Sequence, residues 1–181
     1  MIPSKDAGFQ TGQKADPSIC CLQETHFRHK DTYSLKIKGW RTIYHSNGPQ
    51  KKAGVAILIS DKLKFIPKTV VRDEEGHNII LRGSIQQEDL TTMNIYAPNV
   101  GADKYINQLI TKVKTYLDNS TLILGDFNMV LSTNDRYSKH NISKETRALN
   151  NTLDQMDFTD SYRTLHPNAV EYTFFSSAHG T

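Results

Sequence analysis

The fold class follows first from one stretch, His77-Asn-Ile-Ile-Leu-Arg-Gly-Ser-Ile-Gln-Gln-Glu-Asp-Leu-Thr-Thr-Met-Asn-Ile-Tyr96. Residues 77–85 and 90–96 are rich in apolar and β-branched side chains, and the polar residues 86–89 separate them. Two such runs around a short polar segment predict a β-hairpin. The second strand should end at Tyr96, because Pro98 follows closely and proline cannot donate to a β-ladder.

Further apolar runs lie on both sides of this hairpin. Residues 18–22, 53–60 and 121–124 predict short buried strands, and residues 40–44 alternate loosely enough to predict another before a Ser-Asn-Gly-Pro turn. Residues 172–175, Tyr-Thr-Phe-Phe, predict a last short strand.

Two segments predict helices instead. Apolar side chains recur at helical spacing over residues 103–117, and a second helix should begin at Ser143 as N-cap and bury Leu149, Leu153 and Met156. Strands dominate and helices separate only some of them. This order favours an α/β fold in which two packed sheets carry helices outside, rather than a regular βαβ alternation.

Composition narrows the class of protein without identifying it. The chain has 181 residues, long enough for one domain with a substantial core, and carries a formal charge of +3 from 22 basic and 19 acidic side chains. This mild positive charge permits a polyanionic partner but does not predict one. No apolar run reaches the about 18 residues of a membrane helix, and the first residues resemble no signal peptide. Membrane and secretory locations are therefore not expected.

The only cysteines, Cys20 and Cys21, are adjacent. Neighbouring side chains of a strand point to opposite faces, so a disulfide between them is geometrically poor. A reducing nucleus or cytoplasm fits this usage best. The seven histidines show no metal-ligand spacing and are interpreted as surface or packing residues.

Polar side chains of catalytic type stand where the predicted strands end. Glu24 follows the first strand, Tyr96 ends the hairpin, and Asp126 and Asn128 follow Leu-Ile-Leu-Gly. Strands fix the backbone while the loops after them expose side chains, as in most active sites. Each residue also has an ordinary explanation: a solvated glutamate, a core tyrosine with a wet hydroxyl, or an Asp-Phe-Asn turn. Their joint occurrence favours chemistry.

The motifs Gln23-Glu-Thr-His26, Asn94-Ile-Tyr-Ala-Pro-Asn99 and Gly125-Asp-Phe-Asn128 resemble, in this order, the endonuclease/exonuclease/phosphatase superfamily, which includes DNase I and the apurinic endonucleases. Further segments are similar to the endonuclease domain of mammalian LINE retrotransposons: Asp16-Pro-Ser-Ile-Cys-Cys21, Ile37-Lys-Gly-Trp40, Lys51-Lys-Ala-Gly-Val-Ala56, Gly83-Ser-Ile-Gln-Gln-Glu88, Tyr162-Arg-Thr-Leu-His-Pro167 and Glu171-Tyr-Thr-Phe-Phe175. The resemblance covers residues 16–181. Residues 1–15 remain unmatched and are expected to be disordered.

The resemblance implies a DNase I-like four-layer α/β sandwich and a role for each matched residue. Glu24 would be the ligand of a divalent cation, Mg²⁺ or Mn²⁺ in its place. Asp126 would position and deprotonate the attacking water. Asn128 would orient the nucleophile or the phosphate, and Tyr96 would hydrogen-bond the phosphate.

Three more residues would contact DNA by the same resemblance. Arg136 matches an arginine that faces a phosphate, and Thr173 matches a position near the DNA. His179 lies where the LINE enzymes carry a hairpin that probes DNA shape. DNA is therefore the expected partner, and no stable oligomer is implied.

The resemblance also implies that family segments are absent from these 181 residues. The family begins with an Asn-x-Asn-Gly segment that supports the metal, and it closes with an Ile-Asp-His-Ile aspartate and a terminal Ser-Asp-His. Neither end matches here, so residues 16–181 are expected to be an incomplete domain with little or no activity by itself.

Three functions remain open at this point. The first is a LINE-type endonuclease fragment, whose family nicks DNA at T-rich/A sites with Mg²⁺ and leaves a 3′-hydroxyl that primes reverse transcription. The second is a non-catalytic transposon-derived remnant with weak DNA binding. The third is a relative that acts on an inositol or sphingolipid phosphate, which the LINE-like segments disfavour.

Overall fold

A computed structural model of the chain describes residues 16–129, 131 and 143–166. The described residues divide into two compact units. The first contains the described residues up to Tyr96 together with Tyr116–Asp126, and the second contains Ala97–Thr115 and the described residues from Phe127 onward. All of the described strands lie in the first unit, and the described α-helices lie in the second.

One sheet of the first unit has three strands: β1 (Ile19–Leu22), β2 (Thr42–Ser46) and β3 (Val55–Ile59), in the order β1-β3-β2. Both pairings are antiparallel. Every residue of β3 is buried, as a central strand of valine, isoleucine and leucine should be. A 3₁₀ helix, His29–Ser34, lies between β1 and β2.

The other sheet has four strands: β4 (Phe65–Arg72), β5 (Asn78–Ile85), β6 (Glu88–Tyr96) and β7 (Thr121–Asp126), in that order. The predicted hairpin is β5–β6, and its turn residues Gln86 and Gln87 have φ angles of 50° and 74°. Positive φ at both turn residues suits the right-handed twist of a two-residue hairpin. β6 and β7 are parallel, so this sheet is mixed.

The two sheets pack face to face. Their shared core contains Val55, Ile57 and Ile59 from β3 and Ile79 and Leu81 from β5, all at most 3% exposed. Alternate residues of a strand share one face, so each strand contributes every second side chain. This confirms the predicted α/β class with two packed sheets.

The second unit contains α1 (Ala102–Val113), α2 (Lys144–Gln155) and the short α3 (Ser161–Leu165). A 3₁₀ turn, Lys114–Tyr116, follows α1 in the chain. The apolar stripe of α1 is buried at Ile106, Leu109, Ile110 and Val113, as predicted. Leu149 of α2 is fully buried, whereas Leu153 and Met156, also predicted to be buried, are half-buried. α1 and α2 pack against each other. The strand predicted at residues 172–175 lies outside the described residues.

No described helix is both long and apolar enough to cross a membrane.

The two cysteines are free thiols. Cys21 packs against the core between the sheets. Burial, followed by the neighbouring Cys20, raises the pKa of the Cys21 thiol to about 12. Because the thiolate is the reactive form, Cys21 is an inert packing residue at neutral pH.

Ser143 is the N-cap of α2, as predicted. Its hydroxyl oxygen accepts a hydrogen bond from the Thr146 amide at 3.0 Å, which satisfies one of the free donors of the first turn. We expect Ser143→Ala to lower the free energy of unfolding by about 1 kcal/mol in urea titrations followed by circular dichroism. Ser143→Asp preserves the cap and should stay near wild type. Equal stability of wild type and Ser143→Ala would contradict this role.

Candidate active site

The parallel pairing of β6 and β7 brings two of the predicted site residues together. Tyr96 and Asp126 are the last residues of their strands and are direct partners in the register. Parallel strands present their carboxyl ends at the same edge of a sheet, where α/β proteins commonly bind ligands. Tyr96 is 8% exposed, whereas Asp126 is exposed.

Glu24 lies in the loop directly after β1, and its backbone is strained. Glu24 and His26 have φ angles of 53° and 54°, the left-handed region that non-glycine residues seldom adopt. Two backbone hydrogen bonds hold the loop: the Thr25 amide donates to the Gly54 carbonyl at 3.0 Å, and the His26 amide donates to the Ala53 carbonyl at 2.9 Å. Strain of this kind, held by surrounding structure, is typical of functional sites.

Gly54 permits this close approach. Its φ is 111°, and a Cβ atom there would lie 2.3 Å from the Thr25 hydroxyl oxygen. The Gly54 amide donates in turn to the Gly76 carbonyl at 3.0 Å. Ala53 and Gly54 of the Lys-Lys-Ala-Gly segment therefore hold the Glu24 loop in place.

The acidic side chains act directly on Tyr96. Burial contributes most, and a hydrogen-bonding interaction with Glu24 and the negative charges of Glu24 and Asp126 add to it, so the pKa of Tyr96 is raised to about 12. All of these effects favour the neutral phenol. Tyr96 is therefore a hydrogen-bond donor throughout the physiological pH range, next to two carboxylates.

Two histidines lie beside this cluster. The His77 ring stacks on Tyr96 with centroids 6.0 Å apart, and its Nδ1 is 2.8 Å from the Tyr96 carbonyl oxygen. The His26 Nε2 is 3.7 Å from a Glu24 carboxylate oxygen, with both side chains about half exposed. Sequence spacing could not reveal the contact between His77 and Tyr96, because His77 reaches Tyr96 through the pairing of separate strands.

Asn94 begins the Asn94–Asn99 motif, and the resemblance implies no role for it. Its side chain is fully buried. The Asn94 amide nitrogen donates to the carbonyls of Leu22 at 2.9 Å and Ala56 at 3.0 Å, and its oxygen accepts from the Gln23 amide at 2.6 Å. A polar side chain between Met93 and Ile95 in a buried strand was the only sequence signal.

Asn128 lies in the second unit. Its side-chain amide donates to the Ala97 carbonyl at 2.7 Å, and its φ is 46°. β7 ends at Asp126, and residues 127 and 128 belong to no strand. Asparagine tolerates the left-handed conformation well, which permits the turn.

Comparison with known proteins identifies the family. The sequence model of the Endonuclease/Exonuclease/phosphatase family matches residues 10–181. The chain belongs to this family. The predicted superfamily is confirmed by this match.

Solved structures of similar fold include nucleases. The AP endonuclease LMAP from Leishmania major superposes with a TM-score of 0.68 at 16% identity, over 90% of this chain and 65% of that one. The 3′-5′ exonuclease NExo from Neisseria meningitidis gives a TM-score of 0.66 at 23% identity, over 89% of this chain and 69% of that one. These likenesses confirm the family's α/β fold. This chain spans somewhat less than two thirds of the Leishmania enzyme.

The residues at the site suit the divalent cation on which nucleases of this family depend. Glu24 and Asp126 offer carboxylate oxygens, the hard ligands that Mg²⁺ prefers, and Mg²⁺ is usually held by only one or two carboxylates with water and phosphate. Among the described residues, no group of three or more His, Cys, Asp and Glu side chains could hold a metal. Glu24 and Asp126 thus suit an ion that is held by few protein ligands.

The three predicted DNA contacts, Arg136, Thr173 and His179, lie outside the described residues. Their roles stay predictions.

Proposed function

We propose that this chain is a Mg²⁺-dependent DNA endonuclease domain that hydrolyses phosphodiester bonds and leaves a 3′-hydroxyl. The observation that carries the proposal is the convergence of Glu24, Tyr96 and Asp126 at the ends of three separate strands. Family membership supports hydrolysis of a phosphate ester. Similar folds named as an AP endonuclease and as a 3′ phosphatase bound to a product DNA hairpin favour DNA as the substrate.

Asp126 is suited to be the general base. Its carboxylate is exposed at the strand end, where a water molecule can reach it. A base must lie within hydrogen-bonding distance of the proton that it removes. Asp126 would accept this proton as the water oxygen attacks phosphorus, and the bond between phosphorus and the 3′ oxygen would break. The departing oxygen takes a proton from solvent and becomes the 3′-hydroxyl.

Tyr96 would donate a hydrogen bond to the phosphate that is attacked. Its raised pKa keeps the proton on the phenol, so the donor is present at any pH near neutrality. A fixed donor directed at developing negative charge costs no reorganisation during the reaction. β6 and the stacked His77 ring supply this rigidity.

Glu24 would hold the cation, with Asp126 nearby as a second carboxylate. When bound, the cation neutralises charge on the phosphate. The strained loop keeps Glu24 at the site before any ligand arrives, which reduces the ordering needed on binding.

The finer proposal is a LINE-type enzyme that nicks T-rich/A sites to prime reverse transcription, supported by the LINE-like segments of the sequence.

A supercoiled plasmid in enzyme excess tests the proposal, because one nick changes the mobility of the whole molecule. We expect EDTA-sensitive nicking with Mg²⁺ that is faster on plasmids bearing T-rich/A sites. Glu24→Gln should raise the Mg²⁺ concentration for half-maximal nicking by about tenfold or more. Glu88→Gln changes an exposed glutamate at the other end of β6 and serves as the matched control.

Two results would redirect the proposal. Salt-dependent DNA binding without any nicking would favour the non-catalytic remnant, since phosphate contacts alone weaken steeply with salt. Release of phosphate from an inositol or sphingolipid headgroup, with DNA left intact, would favour the third function. Nicking that Glu24→Gln leaves unchanged would remove Glu24 from the metal site.

A further inference from the structure

We infer that Asn94 is a positioning residue for Glu24: its buried amide clamps the segment just before Glu24 and so fixes the candidate metal ligand. The inference rests on the proposed role of Glu24. It concerns a contact between the two sheets that neither the motif nor the family assignment explains.

The hydrogen bonds of Asn94 are directed at the end of β1. The side-chain nitrogen of Asn94 donates to the carbonyls of Leu22 and Ala56, which are partners in the β1–β3 ladder. Its side-chain oxygen accepts a hydrogen bond from the side-chain amide of Gln23. Both donors and the acceptor are thus engaged, in a side chain without solvent exposure. Two of the three partners are the residues that immediately precede Glu24.

Asn94 and Tyr96 lie on the same face of β6, because alternate residues of a strand share a face. This face is directed toward the three-stranded sheet. Asn94 therefore holds residues 22 and 23 from the same face that presents Tyr96 to Glu24. β6 therefore fixes the positions of both the Glu24 loop and Tyr96. This arrangement keeps the Glu24 carboxylate beside the Tyr96 phenol.

The clamp also explains how a strained loop persists. A left-handed non-glycine residue costs roughly 1–2 kcal/mol, and two occur at Glu24 and His26. Buried hydrogen bonds are expensive to break, since an unpaired buried group loses its solvation as well. The three bonds of Asn94 fix the entry to the loop, and the bonds of Thr25 and His26 to residues 53 and 54 fix its middle.

The test compares two isosteric substitutions on this face. Asn94→Leu removes all three hydrogen bonds, and Thr92→Val changes a buried polar side chain two residues earlier on the same face. The first measurement is hydrogen exchange of the Thr25 and His26 amides by NMR, relative to the Leu81 amide in the centre of β5. We expect Asn94→Leu to lower the protection of Thr25 and His26 relative to Leu81 by about tenfold or more. Thr92→Val should leave this ratio unchanged.

The second measurement is binding of Mn²⁺ by calorimetry. Groups that orient a metal ligand typically change metal affinity by about 10–100-fold, so Asn94→Leu should weaken Mn²⁺ binding within this range while Thr92→Val does not. If Asn94→Leu fails to fold, Gln23→Leu removes only the Gln23 bond and should shift both readouts in the same direction.

The two arms separate the inference from the proposed function. Loss of loop protection without any Mn²⁺ binding to the wild type would uphold the clamp and overturn the metal role of Glu24. Equal loss of protection at Thr25, His26 and Leu81 would show a purely global effect and overturn the clamp. Unchanged Mn²⁺ affinity in a folded Asn94→Leu variant of a metal-binding wild type would also overturn it.

Discussion

Replacement of Gly125 with alanine is expected to prevent the first unit from folding. Gly125 has a φ of 135°, and a Cβ atom there would lie 1.9 Å from the Ile95 carbonyl oxygen and 2.8 Å from two further backbone atoms of Ile95. Backbone that is held in a β-ladder cannot move aside as a flexible side chain can. We expect a loss of more than about 4 kcal/mol, which is exceptional for one substitution and comparable with the whole stability of many domains.

The measurement is urea unfolding with NMR spectra of the soluble protein. Gly39→Ala is the matched control, since Gly39 belongs to the same unit and has a φ of 87° but no atom within 4 Å of its missing Cβ. It isolates the backbone strain, which should cost only roughly 1–2 kcal/mol. If Gly125→Ala were no less stable than Gly39→Ala, the close approach of β6 and β7 would be wrong.

The close approach of β6 and β7 at Gly125 also affects the candidate active site. Gly125 is the register partner of Ile95, and the next pair is Tyr96 and Asp126. Any displacement of β7 that accommodates a Cβ would therefore act first on the distance between the phenol and the carboxylate. A partially folded Gly125→Ala variant should lose nicking before it loses its secondary structure.

The hairpin, the buried strand β3 and the N-cap at Ser143 were predictable because each is encoded locally. Alternation, β-branched content and capping chemistry are properties of neighbouring residues. β4 was not predicted. Four successive residues of this edge strand are exposed and its register is irregular next to Pro67, so no alternating pattern indicated it.

The candidate site likewise was predictable only in part. Glu24, Tyr96 and Asp126 were found at strand ends from sequence, but their meeting depends on the parallel register of β6 and β7 and on the packing of two sheets. The roles of Gly54 and Asn94 depend on atoms at positions far from them in the chain. No local pattern reports such contacts, whereas a buried polar side chain in an apolar strand gives only a hint that a partner exists.

Replacement of Tyr96 with phenylalanine is expected to reduce nicking by about 10²-fold at every pH tested, because it removes the proposed hydrogen-bond donor to the phosphate. The loss should appear in the rate at saturating Mg²⁺, not in the Mg²⁺ requirement, since the phenol is not a proposed metal ligand. Tyr44→Phe, a half-buried tyrosine of β2, is the matched control. Equal effects of the two substitutions would show that loss of any buried hydroxyl suffices.

The pH dependence of the wild type provides an independent test of the same residue. The pKa of Tyr96 is raised from 10.0 to about 12, so the donor is retained below pH 10 and is lost only as the pH rises through about 12. The stability that comes from the neutral phenol follows the same course: it is complete below the unfolded pKa near 10 and disappears between about 10 and about 12. Nicking measured from about pH 7 to about pH 10, with Mg²⁺ kept dilute enough to remain dissolved, should therefore show no decline due to Tyr96. A tyrosine of ordinary pKa would already be half ionised at the upper limit. A halving of the nicking rate there that Tyr96→Phe abolishes would mean that burial and the neighbouring carboxylates do not hold the proton on this phenol.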